Sequence, residues 1–264
     1  MNPSHGTLAD HALVTSLRGS RELRPKVDPA LAGGLRAWLD DDLAGVVGSI
    51  DPAAPVFASP RSLISDRDRS AAPTLAIARG ALLGELVRQR VVLGGVEHPM
   101  DDALAALEAD PRHASLVAAI HALEPDGFAH LAAEVAAHDT VVARALGAIP
   151  PSWLPRTHVR LSVPVAGGRV VLGATVTIMV GPPAANVASV CLINVTTSAL
   201  DDAASAQLGI LCLIETLRSS TPPLRAAVLS SATGEIERLD VGDAVLFAAI
   251  DDVVGGVTRQ AGHA

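Results

Sequence analysis

Few side chains in this sequence have a type and spacing suited to chemistry, and each has a plain structural role competing for it. His121, His130 and His138 recur within one stretch. They do not form the HExxH spacing that brings two imidazoles to one helix face, and each reads as an ordinary surface or core histidine. Asp40-Asp41-Asp42 lies in a helical pattern, where consecutive side chains point in different directions. It reads as a solvated face, unable to share one metal ion. Cys191 and Cys212 sit in apolar runs and read as buried small hydrophobes. A zinc or iron–sulfur centre needs more ligands at closer spacing. Ser230-Ser231 reads as a turn at a strand end. A phosphate-cradling GxxxxGK[ST] loop is absent, because the single lysine, Lys26, is followed by Val27. A GxGxxG after a strand and a GxSxG elbow are absent too.

The elements that would position any site centre on residues 169–197. Val170–Val180 and 187–195 are two apolar runs rich in Val, Ile and Thr, which favour extended backbone. Gly181-Pro182-Pro183-Ala184-Ala185-Asn186 between them favours a reversal. The runs are nearly continuous, which predicts a hairpin buried on both faces. Upstream, residues 1–27 read as a strap. Asp28-Pro29 opens a helix on which Leu31, Leu35, Trp38, Leu39 and Leu43 recur. Residues 51–70, with Pro52, Pro55, Pro60, Arg61 and the run Asp66-Arg67-Asp68-Arg69, read as an exposed loop. A helix over 74–92, ended by Gly94-Gly95, is followed by helical patterns over 100–109, 114–123 and 127–146. After Pro150-Pro151 come strands over 158–164, 170–180 and 187–195 and a helix over 201–219. Strands over 224–231 and 235–239 and a helix over 243–254 complete the pattern. The chain is read to fray beyond that helix, with 257–264 as tail. Helices followed by a mixed sheet predict an α/β (α+β) fold: a helical region over 28–150, whose helix at 74–95 packs on the core, and a sheet region over 151–256.

Composition narrows the function classes. The 264 residues are 49% hydrophobic but only 2% aromatic, with a net charge of −8. That charge excludes a broad, sequence-independent DNA surface, which needs clustered Lys and Arg, though not a local basic groove. The first twenty residues lack the basic start and apolar core of a signal peptide, and Gly181-Pro182-Pro183 splits the longest apolar run. These features predict a cytoplasmic protein with no membrane contact.

At the hairpin the chain resembles the PD-(D/E)XK nuclease superfamily in its RecB-like branch, most of all that branch's small stand-alone actinobacterial proteins. The blocks that carry the resemblance are AGGRVVL at 166–172, VTIMVG at 176–181, SVCLINVTT at 189–197 and LIETLR at 213–218. The resemblance implies a restriction-endonuclease-like αβββαβ core. It also implies a chemistry in which carboxylates hold one or two Mg²⁺ ions for phosphodiester hydrolysis and a lysine stabilises the transition state. In that family an Asp ends the first hairpin strand, and Asp/Glu-x-Lys lies on the second. Here those positions fall on Thr177, Asn194 and Thr196, the first two seventeen residues apart. The family's upstream helix carries Arg-Gly and then a metal-binding histidine; in Arg79-Gly80-Ala81-Leu82-Leu83-Gly84 that place is Gly84. The helix after the hairpin carries a Gln and a Tyr; Gln207 matches the first and Leu211 replaces the second.

With the charged groups replaced, the resemblance implies a catalytically inactive homologue that binds no metal and serves as a structural or regulatory protein-binding module. A second reading is a non-cleaving nucleic-acid-binding module in DNA repair or defence, with Arg79, Arg88 and Arg61 as contacts, joined by Arg67, Arg69 and Arg90. A third is an active Mg²⁺-dependent nuclease whose acids have migrated to Asp201, Asp202 or Glu215. The competing structural roles of those acids are helix capping for Asp201-Asp202, and for Glu215 the helix surface or a pair with Arg218.

Overall fold

The computed structural model describes residues 13, 17, 26–48, 50–51, 53–65, 75–95, 97–147, 149–184 and 187–262. The predicted strap, residues 1–27, lies mostly outside them, as do Arg67 and Arg69. Within the strap, Leu13, Leu17 and Val27 are buried core residues.

Helix α1 (Leu31–Val47) follows from four-residue steps of apolar side chains: Leu35, Leu39, Leu43 and Val47 are all buried. Strand β1 (Val56–Ala58) and the short helix α2 (Pro60–Ile64) come next, inside the segment read as a loop. Ser59 caps α2 by accepting from the Ser62 amide, and the Ser62 hydroxyl accepts from the Ser59 amide. Helix α3 (Leu75–Leu93) buries Leu82, Leu83, Leu86 and Val87. Helices α4 (Pro99–Glu108) and α6 (Pro125–Leu146) pack on it, and α5 (Ala114–His121) packs on α4. Leu82 and Leu86 of α3 meet Leu107, Ile120, Leu131 and Val135 in a small helical core.

The sheet has six strands among the described residues. β3 (Val170–Val180) is its hub. β2 (Arg156–Val165) pairs antiparallel along its whole length. On the other edge, β1 pairs parallel with its first three residues, and β4 (Cys191–Thr196) pairs antiparallel with its last three. Helix α7 (Asp202–Ser219) then carries the chain over to β5 (Arg225–Ser230), which runs parallel to β4. β6 (Ile236–Asp240) adds an antiparallel edge, and α8 (Asp243–Ala261) follows. With α4, α5 and α6 inserted between α3 and β2, the elements α3, β2, β3, β4, α7 and β5 follow one another in the expected αβββαβ order, and the class is mixed α+β. α1, α2, α7 and α8 cover one face of the sheet. α3 and α6 cover the other over the end of β3 and over β4 and β5.

Besides the strand and helix found in the segment read as a loop, three expectations change. The hairpin is buried on both faces only at its closed end: at the start of β3, Val171 is half-buried and Thr175 exposed. The returning strand starts at Cys191; Val187 instead bridges to Lys26. The chain end does not fray at Gly255, and residues 257–261 are helix, not tail. α8 continues because its last turns lie on α2: the Gln260 amide donates to the Ser62 carbonyl at 2.8 Å, the Arg259 guanidinium to the Leu63 carbonyl, and Val257 is fully buried.

Gly256 makes that approach possible. A Cβ there would sit 2.6 Å from the Leu63 carbonyl oxygen and 2.8 Å from its Cα, both backbone atoms that cannot swing aside. Gly255, one residue earlier, meets only the end of the Arg259 side chain at 3.6 Å. Alanine in a helix is worth about 1 kcal/mol over glycine, against about 1–3 kcal/mol for overpacking a filled contact. Gly255→Ala is therefore expected to leave the urea midpoint unchanged or raise it. Gly256→Ala is expected to lower stability by about 1–2 kcal/mol. Equal midpoints for the two variants would refute the contact.

Candidate functional site

Thr177 and Asn194 lie side by side on β3 and β4, one step past the last ladder pair, Ile178↔Ile193. Their side chains replace the ladder there. The Thr177 amide donates to Asn194 Oδ1 at 3.1 Å, and the Val195 amide donates to Thr177 Oγ1 at 3.2 Å. Each side-chain oxygen thus satisfies a backbone N–H that the diverging strands leave behind. Thr196 turns inward on its own loop, its hydroxyl accepting from the Ser198 amide at 3.2 Å.

The alternation of β3 slips at Thr177. Leu172 and Val176 point into the cluster under α7 and α8, yet Ile178 and Val180 point into the opposite one and Met179 takes over the first. A two-residue repeat cannot do this without an irregularity. The same break appears across the strand pair. β2 pairs through Thr157↔Ile178 and Val159↔Val176, and the intervening His158 has a left-handed φ of +50°. A histidine in that conformation is held by its surroundings.

What holds it is the place left by Gly84. His158 Nε2 lies 3.3 Å from where a Gly84 Cβ would be, and Nδ1 lies 3.6 Å from Glu85 Oε1. The other oxygen of Glu85 accepts from Arg88 Nε at 2.6 Å. An imidazole from the strand therefore fills the space beside the helix position where the resemblance expects one. Nothing local in the sequence signals this, because His158 and Gly84 are 74 residues apart in the chain (158 less 84).

The arginines do not form one cationic surface. Arg79 pairs with Glu134 at 3.1 Å, Arg88 with Glu85, and Arg90 with Asp139 at 2.7 Å. Arg61 is exposed on α2, in the layer on the opposite side of the sheet. Of the candidate acids, Asp201 caps α7 by accepting from the Ala204 amide at 2.9 Å, and Asp202 is exposed in its first turn. Glu215 is 2% exposed rather than on the helix surface, and both its oxygens accept from Arg218 at 2.9 Å. That bond, tempered by burial, raises the Arg218 pKa further above its ordinary value. Gln207 sits half-buried on α7, and Leu211 is core. Cys191 and Cys212 are buried, as expected; the Cys191 thiol donates to the Leu17 carbonyl at 3.5 Å, and burial pushes the Cys212 thiol far above the usual range.

One polar link was invisible in the sequence. His138 Nδ1 lies 2.9 Å from Ser231 Oγ, joining α6 to the end of β5. The Ser231 hydroxyl and amide both donate to the Thr196 carbonyl at 2.8 Å. With its proton committed to a carbonyl, the hydroxyl accepts from the imidazole, so this pair is a tether and not an activated nucleophile. A hollow of about 450 Å³ at the end of α3, lined by Arg88, Gln89, Val92, Leu93, His98 and Asp102, includes neither Thr177 nor Asn194. No protein-family model matches the chain, and no curated protein matches it in sequence.

The reciprocal bonds set a measurable cost. Thr177→Val keeps the shape and removes the acceptor for the Val195 amide; Asn194→Leu does the same to the Thr177 amide. Each is expected to lower stability by about 1–3 kcal/mol, the cost of stranding a partly buried donor. Asn194→Asp, which keeps an acceptor, should lose less. Chemical denaturation checks this, and losses under about 0.5 kcal/mol, the level of an ordinary surface change, would refute the pairing.

Proposed function

We propose that this chain is a non-cleaving relative of the RecB-like PD-(D/E)XK nucleases, kept in the cytoplasm as a protein-binding module. The reading is supported chiefly by the fate of the oxygens at Thr177 and Asn194. They stand where two metal-holding carboxylates are expected, and both are neutral and already accept from backbone amides. A hard divalent cation wants charged oxygens with free lone pairs, so this donor set does not fit Mg²⁺. Glu85, beside the strand residue His158, adds no anionic surplus, since it is shared by Arg88 and His158. Asp201 and Glu215, two of the acids that could have migrated, have structural work as a cap and an ion-pair partner.

Protein is favoured over nucleic acid as the partner because Arg79, Arg88 and Arg90 are each bound to a carboxylate. A phosphate would have to compete with those pairs, and the chain as a whole is anionic. Two buried cysteines set on separate elements of the core fit a reducing compartment.

Highly purified protein is expected to leave single- and double-stranded DNA intact with Mg²⁺ or Mn²⁺, and calorimetric titration with either metal should give no saturable heat. Metal-dependent cutting that disappears on changing Asp201, Asp202 or Glu215 would overturn the reading and establish an active enzyme. Saturable Mg²⁺ binding abolished by Asn194→Ala would overturn it as well.

A further inference from the structure

The outer face of α1 and α8 is organised differently from the rest of the surface. Trp38 of α1 is 50% exposed and stacks on Phe247 of α8, with ring centroids 4.8 Å apart at 47°. Such a ring pair is rigid and apolar, and half of the indole is left in water. On the helix face that carries Trp38, the positions three and four residues on are Asp41 and Asp42. On the face that carries Phe247, the positions four residues before and after are Asp243 and Asp251. All four aspartates are exposed. Among the described residues none of the four forms an ion pair.

Of the other charges on these two helices, Arg36 donates to the Pro164 carbonyl at 2.8 Å, Arg259 to the Leu63 carbonyl, and Asp40 accepts from the Ala166 amide at 2.6 Å. Asp252, next to Asp251, is half-buried, and burial and the Asp251 charge raise its pKa against the pull of Arg259. What points outward is an aromatic platform rimmed by carboxylates that pair with no cation among the described residues. We propose that this α1–α8 face is a docking surface for an arginine-rich segment of a partner protein. The proposal rests on the protein-binding reading and names the chemistry of the partner.

The charge selects a cationic ligand, and the indole selects arginine among cations. A guanidinium is flat and weakly hydrated, so it lies on an exposed ring while its edge donates two parallel bonds to a carboxylate. An ammonium group can do the second only as a point charge. The same carboxylates repel phosphate, which sets this face apart from a nucleic-acid surface.

The test uses the full chain and synthetic peptides of alternating Arg-Ala, Lys-Ala and Glu-Ala, followed by tryptophan fluorescence and calorimetry at about 0.1 M salt, where charges beyond about 10 Å are screened. The Arg-Ala peptide should bind saturably, about fivefold tighter than Lys-Ala, the margin of a partly desolvated cation–π contact; Glu-Ala should not bind. Asp41→Asn with Asp42→Asn, or Asp243→Asn with Asp251→Asn, should weaken Arg-Ala about tenfold. Trp38→Ala should remove the preference for arginine over lysine. Asp101→Asn with Asp126→Asn, an equal charge change on the α4 and α6 helices, should leave affinity unchanged. Circular dichroism confirms that each variant is folded. Absence of saturable binding overturns the proposal. So does equal weakening by the α4–α6 pair, which would mean attraction to net charge alone, or an arginine preference that survives Trp38→Ala. None of these outcomes bears on whether the chain cuts DNA, so this proposal and the non-cleaving reading stand or fall separately.

Discussion

The backbone of β3 carries more of this structure than any other segment. One edge is fully used by β2; the other is divided, with β1 on its first three residues and β4 on its last three. Between those two short ladders lies a stretch in which that edge has no strand partner among the described residues. Backbone amides cannot be left unpaired in a half-buried setting without a cost of about 1–3 kcal/mol each. Where β4 diverges, the chain answers with the exchange between Thr177 and Asn194. The slip of alternation at Thr177, the left-handed His158 and the change of covering helices all fall at this same point.

On the reading proposed above, that arrangement is one in which the hairpin keeps its shape without metal-binding chemistry. Two carboxylates side by side repel each other and need a cation between them. A threonine and an asparagine have no such need: each offers an oxygen to the neighbouring backbone, and the strands are joined by the pair itself. Beside them the cationic groups of α3 are balanced by Glu85, Glu134 and Asp139. Each arginine of α3 has a carboxylate partner, whereas the four exposed aspartates of the α1–α8 face have no ion-pair partner among the described residues.

The sequence made the placement of Thr177 beside Asn194 legible, because two Val-rich runs around a Gly-Pro-Pro turn leave little choice of pairing. The ion pair of Glu215 with Arg218 was legible from its three-residue spacing. What was hidden depends on partners distant in the chain. β1 is three residues long among prolines, and its ladder partner Val170 lies more than a hundred residues on. The Gly255-Gly256 pair looks like a helix stop, yet Gly256 is present because Leu63 lies against it. His158 sits in a strand pattern with no motif around it; only the missing side chain at Gly84 gives it room. The pairs that neutralise Arg79 and Arg90 join α3 to α6 across 55 and 49 residues, beyond any helical periodicity.

The seating of α8 on α2 also shapes how the chain comes to be folded. Leu63 and the carbonyls of α2 are among the earlier parts to be synthesised, and the residue that covers the Leu63 carbonyl follows 196 positions later. At ordinary translation speeds that interval is about 10–40 s. Through it α1 and α2 lack α8 to pack against, and for more than half of it β1 also lacks the strand β3 that it must join, so these early-made residues are among the last to be sheltered. A nascent chain of this kind depends on whatever shields Leu35, Leu39, Leu43 and Leu63 in the meantime. Closure of the layer by α8 is then the step that turns an exposed apolar stripe into the interior of the protein.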